Sequence, residues 1–182
     1  MALREVSILG VDPGLTGGIA TFSVTLDDHR LQNFSLLSVV KMPVVPSNRK
    51  KTKKSNRVDS ASLRTFLTQL QPEVAYIELV NAMPVMGKRL GQSDIKIRGE
   101  GSTFIFGYIT GMIEDALYAC DIDVRYVVPS VWKRHFNLLK TTKTQAVELA
   151  QSYWPSADIK RSHSGKADAA LIGCYGITKD FK

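Results

Sequence analysis

The order in which strand-like and helical patterns follow one another is the feature that most restricts how this chain can fold. Three strand-like segments come first, at residues 5–11, 19–25 and 31–42, and only short turns separate them. From residue 61 onward, helical and strand-like patterns alternate. Strands joined by short turns pair antiparallel, whereas strands separated by helices usually pair parallel. The sequence therefore predicts an α/β fold with a mixed sheet, in which the three N-terminal strands are antiparallel and helices flank the sheet.

The second half of the chain supplies the remaining elements. Two further strands are predicted at 74–80 and 123–128, which makes the sheet five-stranded. Helices are predicted at 61–70, 104–119, 142–152 and 167–177, with a shorter one beginning at Pro129. The chain has 182 residues, of which 44% are hydrophobic, so it can bury one core and is too apolar to be disordered. We predict a single domain over residues 1–182.

Three carboxylates stand out because their neighbours are apolar. Asp12 closes the first strand, Glu78 lies inside the segment VAYIELV, and Asp168 lies near the start of the segment ADAALIGCYG. Burying a charge is costly unless the charge is paired or bound to a metal. Carboxylate oxygens are the ligands that Mg²⁺ prefers, and two such ions can hydrolyse a phosphodiester. We therefore predict that the three acids converge on one metal site.

Each acid also has an interpretation that involves no shared site. Asp168 near a helix N-terminus can stabilise the helix dipole, and Asp12 before Pro-Gly can form a turn. Glu78 is the hardest to explain in this way, because an acid in the middle of a strand needs a partner. The residues alone leave these interpretations open beside the shared metal site.

Taken in order, these motifs resemble those of a known family. The segments GVDPGLTGGIA with Asp12, YIELV with Glu78 and GKADAALIG with Asp168 resemble the RuvC-like Holliday junction resolvases of the ribonuclease H-like superfamily. The segments VVPSVWKRHFNL, TKTQAVELAQSYWP and RSHSGKADAALIGCYG are most similar to the branch of plant chloroplast and phage resolvases. The resemblance extends over residues 6–177, which is nearly the whole chain.

The resemblance implies a ribonuclease H-like fold and an endodeoxyribonuclease that cuts four-way DNA junctions by paired symmetric nicks. The catalytic acids of the family correspond to Asp12, Glu78 and Asp168, which would hold two Mg²⁺ or Mn²⁺ ions, with Asp12 between them. No small-molecule cofactor is expected. The glycine-containing helix predicted at 104–119 corresponds to the dimer interface of the family, so a homodimer is expected.

One position departs from the family pattern. Bacterial RuvC proteins carry a fourth ligand three residues before the last acid, and here that position is Gly165. Relatives in the chloroplast and phage branch often have His or Asp where this chain has His163 and Ser164. We predict that His163 is a ligand or orients the attacking water, with Ser164 or a water as the other candidates. A partly exposed histidine at the entry to a helix is the plainer interpretation.

Positive charge is concentrated in one segment. The net charge is +7, and six basic residues within nine positions contribute most of it. These six, called the basic cluster below, are Arg49, Lys50, Lys51, Lys53, Lys54 and Arg57. Such residues neutralise phosphates without reading base sequence. We therefore predict that a loop at 45–57 contacts DNA, although a run of this kind can also be a solvated loop.

Further DNA contacts are predicted near the acids. A long loop at 81–103 carries Lys88 and Arg89 and leads to Phe104 and Phe106. One of these rings can stack on a base, whereas core packing is the expected role for at least one of the two. In the later helices, the predicted contacts are Lys133, Arg134, Lys143 and Lys166. An ammonium group beside Asp168 can neutralise a phosphate oxygen.

Other functions fit parts of the sequence. The segment DPGLTGG also resembles a phosphate-binding turn of actin-like kinases, but those enzymes need two such domains, for which 182 residues are too few. A non-catalytic nucleic-acid-binding protein is favoured by Gly165 and disfavoured by the three acids. A related nuclease that acts on other branched DNA or on RNA would use the same three acids.

The bulk composition indicates an intracellular protein. Cys120 and Cys174 lie in apolar runs, which is typical of reduced, buried thiols, and no apolar run is long enough to span a membrane. We expect a cytoplasmic or nucleoid protein if the source is bacterial or viral, and an organellar one if it is a trimmed eukaryotic protein.

Overall fold

The computed structural model describes residues 3–47, 55–79 and 100–182. The strands within these ranges are β1 (Arg4–Asp12), β2 (Gly18–Asp27), β3 (Arg30–Lys41), β4 (Val44–Ser47), β5 (Ser55–Val58), β6 (Val74–Glu78) and β7 (Asp123–Val127). The helices are α1 (Ser60–Leu70), α2 (Glu100–Tyr118), α3 (Pro129–His135), α4 (Lys143–Tyr153) and α5 (Ser164–Asp180). No helix among the described residues is long and apolar enough to cross a membrane.

The main sheet has five strands in the order β3-β2-β1-β6-β7. The first three strands form an antiparallel meander, while β6 pairs parallel with β1 and β7 pairs parallel with β6. The mixed five-stranded sheet with an antiparallel N-terminal half is therefore confirmed. Its central strand, β1, separates the antiparallel half from the parallel half.

Helices cover both faces of this sheet, so β1 is buried on both sides. Ile8 belongs to the core beneath α4 and α5, whereas Leu9 belongs to the core beneath α1 and α2. Both side chains are fully buried. This explains why β1 has a continuous apolar sequence rather than an alternating one. A carboxylate at the end of such a strand leaves the sheet between two apolar layers.

The prediction of a loop over residues 45–57 is wrong at both ends, where the structure has short strands. Residues 44–47 and 55–58 form β4 and β5, which pair antiparallel as a separate two-stranded sheet. Val58 anchors β5 because its side chain is fully buried. Arg57 lies exposed on β5, while the other five residues of the basic cluster lie outside the described residues. Strands of four residues with polar members give too weak a pattern to be recognised in the sequence.

The second predicted loop, at 81–103, is also too long at its C-terminal end. Helix α2 begins at Glu100, so the last four residues of that segment are helical. Lys88 and Arg89 lie outside the described residues, and their predicted DNA contacts stay predictions.

Helix α5 lies directly against β1, and glycine makes this approach possible. A Cβ atom on Gly10 would lie 2.1 Å from the backbone oxygen of Ala169 and 2.6 Å from the backbone nitrogen of Gly173. Such distances are far inside van der Waals contact, so any other residue at position 10 would push the helix away. The close packing brings the N-terminal half of α5 to the end of β1.

Candidate active site

Two of the three predicted acids lie at the same edge of the sheet. Asp12 is the last residue of β1, and Glu78 is the last residue of β6. These strands are parallel neighbours, with Val11 paired to Ile77, so both carboxylates leave the sheet side by side. The carboxyl ends of parallel strands are where α/β proteins place their ligand sites.

The third acid reaches this edge from helix α5. Asp168 is the fifth residue of that helix, and its neighbour Ala169 contacts Gly10 on β1. The first turn of α5 contains no acid, and dipole effects fall off beyond the first turn. The geometry therefore favours a shared site over stabilisation of the helix dipole as the reason for Asp168.

The three carboxylates interact electrostatically. Burial, together with the charges of Asp168 and Glu78, raises the pKa of Asp12 from its ordinary value of 3.8 to about 7. Burial likewise raises the pKa of Asp168 to about 6, against the lowering effect of Lys133 and together with the charge of Glu78. A cluster of buried like charges with raised pKa values is typical of a site that binds a cation or transfers protons.

Two of the predicted DNA-binding lysines act on this cluster. The charges of Lys133, on α3, and Lys143, the first residue of α4, both lower the pKa of Asp12 and of Asp168. Lys143 is exposed and Lys133 is half-buried, so both ammonium groups remain close to solvent. The site therefore has an acidic centre with basic groups beside it, as a metal-dependent phosphodiester site would require.

The structure gives a physical reason for the glycine at position 165. A Cβ atom on Gly165 would lie 2.2 Å from the backbone oxygen of Thr16, and Gly165 forms a β-bridge with Gly17. The turn that follows Asp12 thus packs on the first residues of α5. A ligand side chain at this position would separate the turn from the helix.

His163 immediately precedes α5, and its ring is half-buried. Its Nδ1 atom accepts a hydrogen bond from the backbone N–H of Lys160 at 3.3 Å. The hydrogen bond from Lys166 is the main reason that the pKa of Asp158 is lowered, and the charge of His163 also lowers it. Nothing in this geometry places His163 against the acid cluster, and its role as a ligand stays a prediction. The hydroxyl-bearing Ser164 begins the helix beside it.

Lys166 is paired with Asp158, a carboxylate outside the group of three acids. Its ammonium group donates to the carboxylate of Asp158 at 2.8 Å and to the backbone oxygen of the same residue at 2.9 Å. The Lys166 side chain is only 8% exposed. The predicted contact with a phosphate would require the ion pair between Lys166 and Asp158 to open.

The remaining predicted DNA contacts lie on the surface. Arg134 is exposed on α3, and Phe104 is 71% exposed on α2. Phe106 is half-buried, and its ring approaches the position that a Cβ atom on Gly14 would occupy, at 4.0 Å. Among the described residues, neither phenylalanine belongs to the two core clusters, so the expected core packing of one of them is not seen there. Phe106 instead lies beside the turn that follows Asp12.

One residue of the site has no counterpart among the residues predicted from the sequence. The indole Nε1 of Trp132 donates a hydrogen bond to Oε1 of Glu78 at 2.9 Å. Trp132 is fully buried, and the ammonium group of Lys133 lies 5.1 Å from the centroid of its ring. The sequence signal that could have pointed to Trp132 is its position, as a large aromatic residue directly before Lys133 and Arg134 in a short helix.

The donor set fits a hard divalent cation. In the described ranges, no three side chains of the metal-ligating types converge closely enough to hold one ion as they stand. Mg²⁺, however, is usually held by one or two carboxylates together with waters and substrate phosphate oxygens. Asp12, Glu78 and Asp168 offer such carboxylates at an edge where ionisation is costly without a cation.

Fold and site together define a class of protein: an α/β protein with a five-stranded mixed sheet of the ribonuclease H type and a carboxylate cluster at the sheet edge. The fold is similar to that of RuvC from Thermus thermophilus, with a TM-score of 0.55 and 18% identity over 97% of this chain and 98% of that chain. It is equally similar, at 0.55 and 18%, to a structure of T. thermophilus RuvC in complex with a Holliday junction substrate, over 97% and 93% of the two chains.

No family model matches the sequence, and no curated protein matches it. The structural neighbours confirm a RuvC-like fold. They do not support the narrower placement in the plant chloroplast and phage branch, which rests on the sequence motifs alone.

Proposed function

We propose that this protein is a metal-dependent endodeoxyribonuclease that resolves four-way DNA junctions by paired symmetric nicks. The observation that carries the proposal is the placement of Asp12, Glu78 and Asp168 at one sheet edge, where their charges act on one another, in a chain with the RuvC fold. One of the two solved RuvC structures contains a Holliday junction substrate, which supports a branched DNA as the ligand of this fold.

Asp12, Glu78 and Asp168 would hold two Mg²⁺ or Mn²⁺ ions. Bound ions would supply an activated water and neutralise charge that develops on the phosphate. The charges of Asp168 and Glu78 both raise the pKa of Asp12, and the charge of Glu78 also raises that of Asp168. Asp12 has the more strongly raised pKa of the two aspartates, which supports it as the carboxylate that would be shared between the two ions.

The basic residues would place the DNA backbone against these acids. Lys133 and Lys143 flank the cluster closely enough to lower the pKa of both aspartates, and Arg134 is exposed beside Lys133. Phosphate contacts from these side chains would orient the scissile strand without reading its sequence. The basic cluster, whose Arg57 is exposed on β5, would add further contacts with DNA phosphates.

The symmetric cleavage of a junction requires two active sites, and α2 offers a surface for a second copy. Phe104 and Ile105 are 71% and 50% exposed on this helix. Gly107 and Gly111 lie one turn apart, and a Cβ atom on either would meet no atom of the described residues within 4 Å. Small residues of this kind let two helices approach closely, which supports a homodimer formed through α2.

The test is a cleavage assay on a labelled four-way junction, run beside a duplex, a Y-fork and an RNA–DNA hybrid, with and without Mg²⁺. We expect metal-dependent, paired nicks on the junction, and we expect Asp12→Asn to abolish cleavage while it still binds the junction. Preference for the fork or the hybrid would indicate a nuclease with another substrate. Binding without cleavage in every lane would indicate a non-catalytic binding protein.

A further inference from the structure

Trp132 connects a short helix to the acid cluster. Helix α3 begins directly after β7, with Pro129 at its first position, and Trp132 lies in its middle. The indole is fully buried in the core shared with α4 and α5, so packing fixes its orientation. Its N–H group points at the end of β6 and donates to Oε1 of Glu78 at 2.9 Å.

This hydrogen bond restricts what Glu78 can do. The carboxylate stands at the end of a strand and is only half-buried, so its side chain would otherwise be free to turn toward solvent. An indole N–H is a donor and never an acceptor, and a buried indole cannot exchange this bond for one to water. One carboxylate oxygen is therefore held by the protein, which limits the directions in which the other oxygen can point. Partners of this kind around ligating carboxylates tune both metal affinity and activity.

The face of the same ring also supports a cation. The ammonium group of Lys133 lies 5.1 Å from the ring centroid, within the range of a cation–π contact. Lys133 is one of the two lysines whose charge acts on Asp12 and Asp168. A single buried side chain thus contacts both an acid and a base of the site.

We propose that Trp132 is a positioning residue, whose indole N–H holds the Glu78 carboxylate in the orientation that binds a divalent cation. The inference rests on the proposed function, because it assumes that Glu78 is a metal ligand. It adds a residue to the site that acts through Glu78 and does not touch the substrate.

The test replaces Trp132 with 3-benzothienylalanine, in which a sulfur atom takes the place of the indole N–H while the size of the ring is kept. The matched control is the same replacement at Trp154, whose ring packs edge-on against Phe22 and Tyr153. The readouts are Mn²⁺ affinity of the protein without DNA, measured by electron paramagnetic resonance, and kcat and KM for junction cleavage. Thermal unfolding shows that each variant is folded.

We expect the replacement at position 132 to weaken Mn²⁺ binding about 10- to 100-fold and to lower kcat, with little change in KM. The replacement at position 154 should leave all three unchanged. In a Glu78→Ala background, the replacement at position 132 should cause no further loss of Mn²⁺ affinity, since the partner of the N–H is gone. If Trp132 only stabilised the fold, its replacement would lower Mn²⁺ affinity equally in the wild-type and in the Glu78→Ala backgrounds.

The outcomes separate the inference from the proposed function. If the unmodified protein binds Mn²⁺ and cuts junctions, and the sulfur analogue does so equally well, the positioning role of Trp132 is refuted while the proposed function stands. Equal losses at positions 132 and 154 would refute it as well. If the unmodified protein neither binds Mn²⁺ nor cuts DNA, both ideas are overturned.

Discussion

Replacing Asp12 with asparagine should stabilise the metal-free protein at alkaline pH. Asp12 is mostly buried at the sheet edge, and burial together with two neighbouring acids raises its pKa from 3.8 to about 7. A carboxyl group with a raised pKa contributes stability while it is protonated, and this contribution is lost as the pH rises through the folded-state pKa. Asparagine keeps the shape of the side chain but never ionises, so it does not incur this loss.

The magnitude follows from the size of the shift. Each pKa unit corresponds to about 1.4 kcal/mol, so the full shift represents about 4 kcal/mol between strongly acidic and alkaline pH. By pH 5 the unfolded carboxyl group is already ionised, and part of the loss has occurred. Between pH 5 and pH 8 the folded group titrates, which removes about 3 kcal/mol more from the wild type. We expect Asp12→Asn to gain about this much relative to the wild type over the same interval.

The assay is urea denaturation in the presence of EDTA at pH 5 and pH 8, for the wild type, Asp12→Asn and the control Asp28→Asn. Asp28 lies exposed in the turn between β2 and β3, so its replacement is the control for exchanging a carboxylate for an amide at a position open to water. Any change in stability that comes from packing the amide is the same at both pH values, so it cancels when the stability difference at pH 5 is subtracted from that at pH 8. A difference between Asp12→Asn and the wild type that is the same at both pH values would refute the electrostatic account of the site.

Three further predictions concern the surroundings of the acids. Lys133→Met removes a charge that lowers the pKa of Asp12, so the acidic limb of the cleavage pH profile should move to higher pH, whereas Arg134→Met should leave it in place. Gly165→Ala forces a Cβ to 2.2 Å from the Thr16 oxygen and should lower the free energy of unfolding by about 1–3 kcal/mol. Gly14→Ala, whose Cβ would lie 3.9 Å from the backbone nitrogen of Gly17, should not destabilise the protein. Replacing all six residues of the basic cluster with serine should reduce the slope of log binding affinity against log salt concentration by up to about five for junction DNA. An unchanged slope would indicate a solvated segment that does not contact DNA.

The order of elements and the acid positions could be predicted because both leave local traces. A short apolar run predicts a buried strand, and a single carboxylate at its end or within it marks a charge that is costly to bury. Asp12 and Glu78 are both found in this way. The mixed sheet then follows, since helices between successive strands favour parallel pairing, as seen for β6 and β7. The small sheet of β4 and β5 left no such trace, because four-residue strands show too few alternations.

The partners of individual side chains could not be predicted in the same way. Lys166 is two residues from Asp168, which suggested a shared site, but residues two apart on a helix point in different directions. The structure directs its ammonium group to Asp158 instead. The contact between Trp132 and Glu78 joins residues 54 positions apart, and only the packing of α3 against the sheet brings them together.

Burial, more than repulsion between the acids, determines the electrostatics of this site, and the glycines determine the burial. Desolvation is the largest cause of the raised pKa of both Asp12 and Asp168. Water is excluded there because α5 lies against β1 at Gly10 and against the following turn at Gly165. The same carboxylates in water would ionise at ordinary pH and gain little from a nearby cation. The close contacts through glycine therefore make the acids costly to ionise alone. In the proposed metal site, a bound cation would offset that cost, so Gly10 and Gly165 would contribute to cation binding although neither has a side chain.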